Sequence, residues 1–154
     1  MRDFGEKDKK KKAGRIKIPE NPANLSSDQL AKLAETVKSG LKEGNLPCGV
    51  AFRISREMGV PKIAVGEMTD RLGVRVSNCQ IGCFKVDKLI HDDEAGNPVD
   101  ESILVRLEAL QRQDALTCIS VHGLAAELKM TPMAVANVAN ARSMKIHQCQ
   151  LGCF

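Results

Sequence analysis

Two stretches decide the fold: Leu46–Phe84, LPCGVAFRISREMGVPKIAVGEMTDRLGVRVSNCQIGCF, and Leu116–Phe154, LTCISVHGLAAELKMTPMAVANVANARSMKIHQCQLGCF. Shifted by 70 residues, they align without a gap, and ten of the 39 positions are identical. The identities are Leu46/Leu116, Cys48/Cys118, Glu57/Glu127, Ala64/Ala134, Val65/Val135 and five positions of the closing hexapeptide. A repeat at a fixed offset takes precedence over any local reading. Two copies are too few for a solenoid and point to a pseudo-twofold pair, packed as a homodimer would be.

Working outward, each unit is preceded by a helix. Ser26 offers an N-cap with Gln29 three residues on, the spacing of a capping box. Leu30, Leu33, Val37 and Leu41 follow at helical spacing, and Gly44 suits the C-terminal end. In the second copy Asn97-Pro98 punctuates the chain, Asp100 and Glu101 favour a helix N-terminus, and Ile103, Leu107 and Leu110 share a face. Within the second unit, Leu116–Ile119 reads as a short strand. Ser120 then caps a helix through Leu128, Lys129–Thr131 form a turn, Pro132 begins another helix, and Met144–Ile146 alternates like a strand. The first unit runs in parallel, with a turn at Gly59-Val60-Pro61, a helix to about Leu72 and a strand at Val74–Val76. The fold class expected is mainly α with short β, in two tandem winged-helix-like units. The boundaries are a basic flexible arm at 1–24, repeat 1 at 25–84, an acidic linker at 85–96 and repeat 2 at 97–154.

Composition narrows the class. With 43% hydrophobic residues, no Trp or Tyr and four Phe, the core must be aliphatic. No apolar run approaches the roughly 20 residues of a membrane span, and no secretory signal is evident, so a cytoplasmic protein is expected. The net charge of +4 is unevenly spread. Residues 1–19 carry +5, each repeated unit +2 and the intervening 85–115 segment −4. Lys7, Lys9–Lys12, Arg15 and Lys17 form an arm suited to tracking phosphates; the competing reading is a solubilising terminus. No nucleophile–base pair, paired carboxylates or Gly-rich phosphate loop is visible, so an enzyme is not expected.

The units resemble the helix-turn-helix family of transcription regulators. A small residue stands where the helices cross (Ser55, Ala125), a Gly at the sharp turn (Gly59), an apolar residue after it (Val60, Met130), and inward residues on the second helix (Val65 and Met68, Val135 and Val138). Lys129 replaces the turn Gly in the second copy and fits easily only if it avoids a left-handed backbone. The resemblance implies a second helix entering the DNA major groove. It would expose Lys62, Ile63, Gly66, Glu67 and Asp70 in one copy, and Pro132, Met133, Ala136, Asn137 and Asn140 in the other. The DNA-binding set expected is Lys62, Arg71, Arg75, Asn137, Asn140, Arg142 and Lys145, with the asparagines reading adenine and the cations touching backbone. Glu67 and Asp70 oppose phosphates, and the alternative is a helix-turn-helix used for packing or for a protein partner.

All six cysteines fall in the repeats. Cys48 and Cys118 sit in the short early strand, Leu46-Pro47-Cys48 in the first copy and Leu116–Ile119 in the second, just before the unit's own helices; Cys79, Cys83, Cys149 and Cys153 flank Gln-Ile/Leu-Gly. If the early strand pairs with the closing one, the three sulfurs of a copy converge, and soft thiolates suit zinc or an iron–sulfur cluster. Three thiolates leave a ligand position open, for which His91, His122 and His147 are weak candidates. Burial as small hydrophobes and a thiol switch are the competing readings. The expected function is therefore a DNA-binding transcriptional regulator whose cysteines bind metal or sense redox state; the alternative is a protein-interaction module scaffolding a zinc or iron–sulfur site.

Overall fold

The computed structural model describes residues 18–84 and 100–154. The lysines of the basic arm up to Lys17, the acidic linker, His91 and Asn97-Pro98 lie outside them. Six helices and two short strands follow in order: α1 (Ser27–Ser39), β1 (Asn45–Pro47), α2 (Cys48–Met58), α3 (Lys62–Arg71), β2 (Arg75–Ser77), α4 (Glu101–Gln113), α5 (Cys118–Leu128) and α6 (Pro132–Ala141). No described helix is long and apolar enough to cross a membrane.

Two compact units result, and they do not coincide with the repeats. Unit 1 joins the chain up to Ser77 with Gln150–Phe154; unit 2 runs from Asn78 to Cys149. Each unit therefore contains the closing segment of the other repeat.

In unit 1 the Ser26 hydroxyl accepts the Gln29 N–H and the Gln29 side chain accepts the Ser26 N–H, the full capping box. Leu33 and Val37 bury the inner face of α1 against α2 and α3. The helix stops at Gly40, four residues before Gly44, which instead occupies a left-handed turn position with φ +73°. Gly40 sits tightly there: a Cβ would lie 3.0 Å from Val50 Cγ1. α2 and α3 pack as a helix-turn-helix, with Gly59 left-handed at the turn and the buried Ser55 hydroxyl donating to the Val60 carbonyl at 2.6 Å. β1 and β2 pair in parallel, Leu46 opposite Val76. The early strand thus joins the strand that follows the helix-turn-helix, and no described third strand completes a wing hairpin.

Unit 2 repeats this plan with local differences. Asp100 caps α4, accepting the Ser102 and Ile103 N–H groups, and Ile103, Leu104 and Leu107 are buried. The strand expected at Leu116–Ile119 is a single parallel bridge, Thr117 to His147, and Met144–Ile146 forms no strand. Thr117, not Ser120, is the N-cap of α5; Ser120 completes its capping box, so the helix begins at Cys118. Lys129 adopts the left-handed conformation that its side chain disfavours, φ +54°. The backbone conserves what the residues do not: Gly59/Lys129, Gly73/Ser143, Asn78/Gln148 and Gly82/Gly152 are all left-handed pairs at the repeat offset. α6 packs on α4 and α5, and a groove of about 370 Å³ opens between the latter two, lined by Arg106, Leu110, Ser120, Gly123, Leu124 and Glu127. Gly123 and Ser120 stand where unit 1 has Arg53 and Val50, which explains the missing filling. The Arg106–Glu127 ion pair crosses the groove.

Candidate functional site

The first of the two closing hexapeptides is a tight turn built around a sulfur. In Cys79–Phe84, the Cys79 carbonyl accepts the Gly82 N–H at 3.0 Å, and the Cys79 N–H reaches the Phe84 carbonyl at 3.4 Å. Asn78 (φ +48°) and Gly82 (φ +71°) are the left-handed residues that allow the reversal. The curl aims the N–H groups of Ile81, Cys83 and Phe84 at the Cys79 sulfur, and the Cys83 thiol donates to it as well. Converging donors of this kind favour an anion at their centre. The Cys79 thiol is accordingly drawn down to about 6, first by the Cys83 hydrogen bond and then, against the opposing effect of burial, by the backbone donors.

Cys83 moves the other way. Donating to Cys79 fixes its proton, burial disfavours its anion, and the charges of Cys79, Cys118 and Cys149 raise it further. Three sulfurs of unit 2 thus lie within electrostatic reach of Cys83. Cys118 is held at the first position of α5, where its N–H donates to the His147 carbonyl at 3.0 Å, two residues before Cys149. None of the six cysteines is in a disulfide; Cys48, Cys79 and Cys118 are buried, Cys149 and Cys153 half-buried and Cys83 exposed.

The expected grouping by copy is replaced by a grouping by unit. Of the first-copy set, Cys79 and Cys83 belong to unit 2 and Cys48 to unit 1; of the second, Cys118 and Cys149 belong to unit 2 and Cys153 to unit 1. Cys48 and Cys118 begin helices and are not strand residues, because Pro47 and Thr117 cap α2 and α5. Among the described residues, no three His, Cys, Asp or Glu side chains stand ready-made to hold a metal ion. The Cys83 thiol also has the Ile81 carbonyl as an acceptor, at 3.9 Å. One of the unit 2 thiols, Cys79, is readily ionised, and the thiolate is the form that acts as nucleophile or soft ligand. His122 is half-buried on α5 and His147 exposed beyond α6.

The surface expected to read DNA is covered at some positions and open at others, Arg71 being among the exposed ones. Gly66 meets the closing segment directly: a Cβ there would lie 1.9 Å from the Leu151 carbonyl oxygen. Leu151 is fully buried, and Ile63 and Ile18 flank Gly152. Ile18 thereby packs within unit 1, inside the stretch 1–24 expected to be a flexible arm. Glu67 is buried and pairs with Arg71 at 2.8 Å, and Lys62 Nζ sits 4.9 Å over the Phe52 ring. In unit 2, Ala136, which matches Gly66, is fully buried, and so is Ile81, which matches Leu151. Gly66, Glu67 and Ala136 are therefore inward residues, contrary to expectation; at Gly66 the reason is the Leu151 backbone laid against the helix. Asn137 is half-buried with Nδ2 enclosed and lacking a protein partner. Arg75 is half-buried, Arg142 pairs with Glu101 at 3.1 Å, and Asn140, Arg142 and Lys145 are exposed.

No protein family, curated protein or solved structure matches the chain. The site must be read from its own chemistry. Sequence reasoning did not find the donor nest or the close approach at Gly66. The latter had a signal, since small residues, Gly66 and Ala136, occupy the same position of both second helices.

Proposed function

We propose that this chain is a soft-metal-binding thiolate protein, holding zinc or an iron–sulfur cluster, with its helix-turn-helix units serving as scaffold and protein-binding surface. The observation that carries the reading is the neighbourhood of Cys83, where Cys79, Cys118 and Cys149 act on one thiol within a single unit. Four thiolates complete a structural zinc site or ligate a four-iron cluster. Metal would displace the Cys83 proton and replace the sulfur–sulfur hydrogen bond by coordination, so uptake is coupled to proton release. Cys79, Cys83, Cys118 and Cys149 are the ligands we assign; Cys48 and Cys153 remain outside the set. Metal analysis of anaerobically purified protein tests this. Zinc or iron should be retained and should fall on Cys79→Ser or Cys83→Ser exchange, whereas protein that neither retains nor takes up either metal defeats it.

In the same reading the units are winged-helix-like. Their shared helix order and the four matched left-handed positions support this. In unit 1 the early strand pairs in parallel with the strand after the helix-turn-helix, and in unit 2 the Thr117–His147 bridge stands at the matching place, 70 residues on from Pro47–Ser77.

A DNA-binding regulator is the second reading, favoured by the exposed Asn140, Arg142 and Lys145 of unit 2 and by the basic N-terminal sequence. The buried character of Gly66, Glu67 and Ala136 weighs against base reading by α3 and α6. Salt-titrated DNA binding with and without residues 1–19 separates the two. Sequence-selective binding that survives the deletion would favour the regulator; binding confined to the deleted segment would leave only an electrostatic arm.

A further inference from the structure

We propose that the face of α3 at Gly66 is a docking surface for the closing segment of a second molecule of this chain, so that two chains exchange Gln150–Phe154 and form a dimer. The segment already crosses between repeats: the second repeat encodes it, and it belongs to unit 1. Its seat is made of backbone and aliphatic surface. The Leu151 carbonyl lies against the bare Cα of Gly66, and the Leu151 side chain is fully buried. Gly152, left-handed at φ +71°, rests beside Ile18 and Ile63. None of these contacts requires the segment to come from the same molecule.

The hinge favours the exchange. His147 is fixed to unit 2, its N–H donating to the Leu116 carbonyl at 2.8 Å and its carbonyl accepting the Cys118 N–H at 3.0 Å. Gln148, Cys149 and Gln150 then separate it from the buried Leu151. Gln148 is left-handed, φ +51°, a conformation that a side chain disfavours. Short hinges held under strain promote domain swapping, because opening relaxes the hinge while the docking contacts are remade with the partner. The first repeat is built alike: β2 ends at Ser77, and the left-handed Asn78, φ +48°, opens the stretch that belongs to unit 2. Against the exchange stands the tether, since a short linker holds its own segment at an effective concentration around millimolar. Exchange therefore belongs to concentrated protein and to chains whose own seat or segment is spoiled.

Native mass spectrometry under a thiol reductant tests this with two full-length variants. Gly66→Leu fills the seat and leaves the segment intact; Leu151→Asp spoils the segment and leaves the seat intact. Each alone should be monomeric. Mixed, they should form a one-to-one heterodimer, the segment of the Gly66→Leu chain occupying the seat of the Leu151→Asp chain. A mixture that stays monomeric overturns the exchange, and so do homodimers of either variant alone, which would place the contact elsewhere. Where either substitution unfolds the chain, Gly66→Ala and Leu151→Ala serve in the same mixture, and heterodimers should exceed homodimers; equal amounts, or none, overturn the exchange. If those also unfold, the wild-type chain decides at concentrations up to about millimolar. Its dimer should grow with concentration, and Gln148→Gly should weaken it about tenfold by removing the hinge strain. A chain that remains monomeric throughout, or a dimer indifferent to the hinge, overturns the proposal.

Discussion

Gly66 and Gly123 both interrupt helices, where glycine ordinarily costs stability, but for opposite reasons. At Gly66 the Leu151 carbonyl occupies the space of a Cβ, whereas nothing lies within 4 Å of a Cβ at Gly123. Gly66→Ala should therefore destabilise the protein by about 1–3 kcal/mol, because a buried backbone oxygen must retreat. Gly123→Ala should stabilise it by roughly 0.5–1 kcal/mol. Urea unfolding of the two variants checks both signs, and equal effects would show that Leu151 does not dock as described. At Cys79 the folded thiol ionises near 6, against 9.0 for an ordinary thiol. Between those values the unfolded chain holds a proton that the folded chain has lost. This residue's contribution to stability is full above the ordinary value, rises with pH through the window, and is lost as pH falls through the folded value. Cys83→Ala removes the leading donor, so ultraviolet titration of thiolate should find Cys79 moved back up toward the ordinary range. An unmoved midpoint would assign the effect to the backbone N–H groups alone.

At the scale of elements, much was legible because capping and periodicity are local chemistry. Ser26 with Gln29, Asp100 before Ile103 and Pro132 at the start of α6 each announce a helix, and each stands at one. The strands were less legible. Three-residue pairing has little periodicity to read, and Thr117 caps a helix as readily as it extends a strand, so Cys118 was placed one element too early. Lys129 is the instructive departure: its backbone is as left-handed as Gly59, so the fold has kept the turn and tolerates the side chain. Lys129→Gly should raise stability by about 1 kcal/mol by relieving the Cβ clash. Thermal or urea unfolding gives the sign, and a loss would mean that the lysine side chain supplies a contact outweighing its backbone cost.

At the scale of the whole molecule, the repeat itself was legible in sequence, but the destination of its endings was not. Hexapeptides that differ only at Ile81/Leu151 carry no mark that tells which unit each one completes; only the compact units separate Asn78–Phe84 from the repeat that encodes it. This arrangement has a consequence that ordinary repeat packing would not give. Ile81 is encoded in the first repeat, is almost fully buried and belongs to unit 2. Ile81→Ala should remove about 2–5 kcal/mol of packing, and the loss should appear in α4, α5 and α6 before it appears in α1, α2 and α3. Leu151→Ala should reverse the pattern, loosening unit 1, where Leu151 is enclosed beside Gly66. Native-state hydrogen exchange resolves the two units residue by residue. If each substitution instead weakened the repeat that encodes it, the closing segments would pack on their own copies. The four-thiol neighbourhood of unit 2 would then have to be redrawn copy by copy.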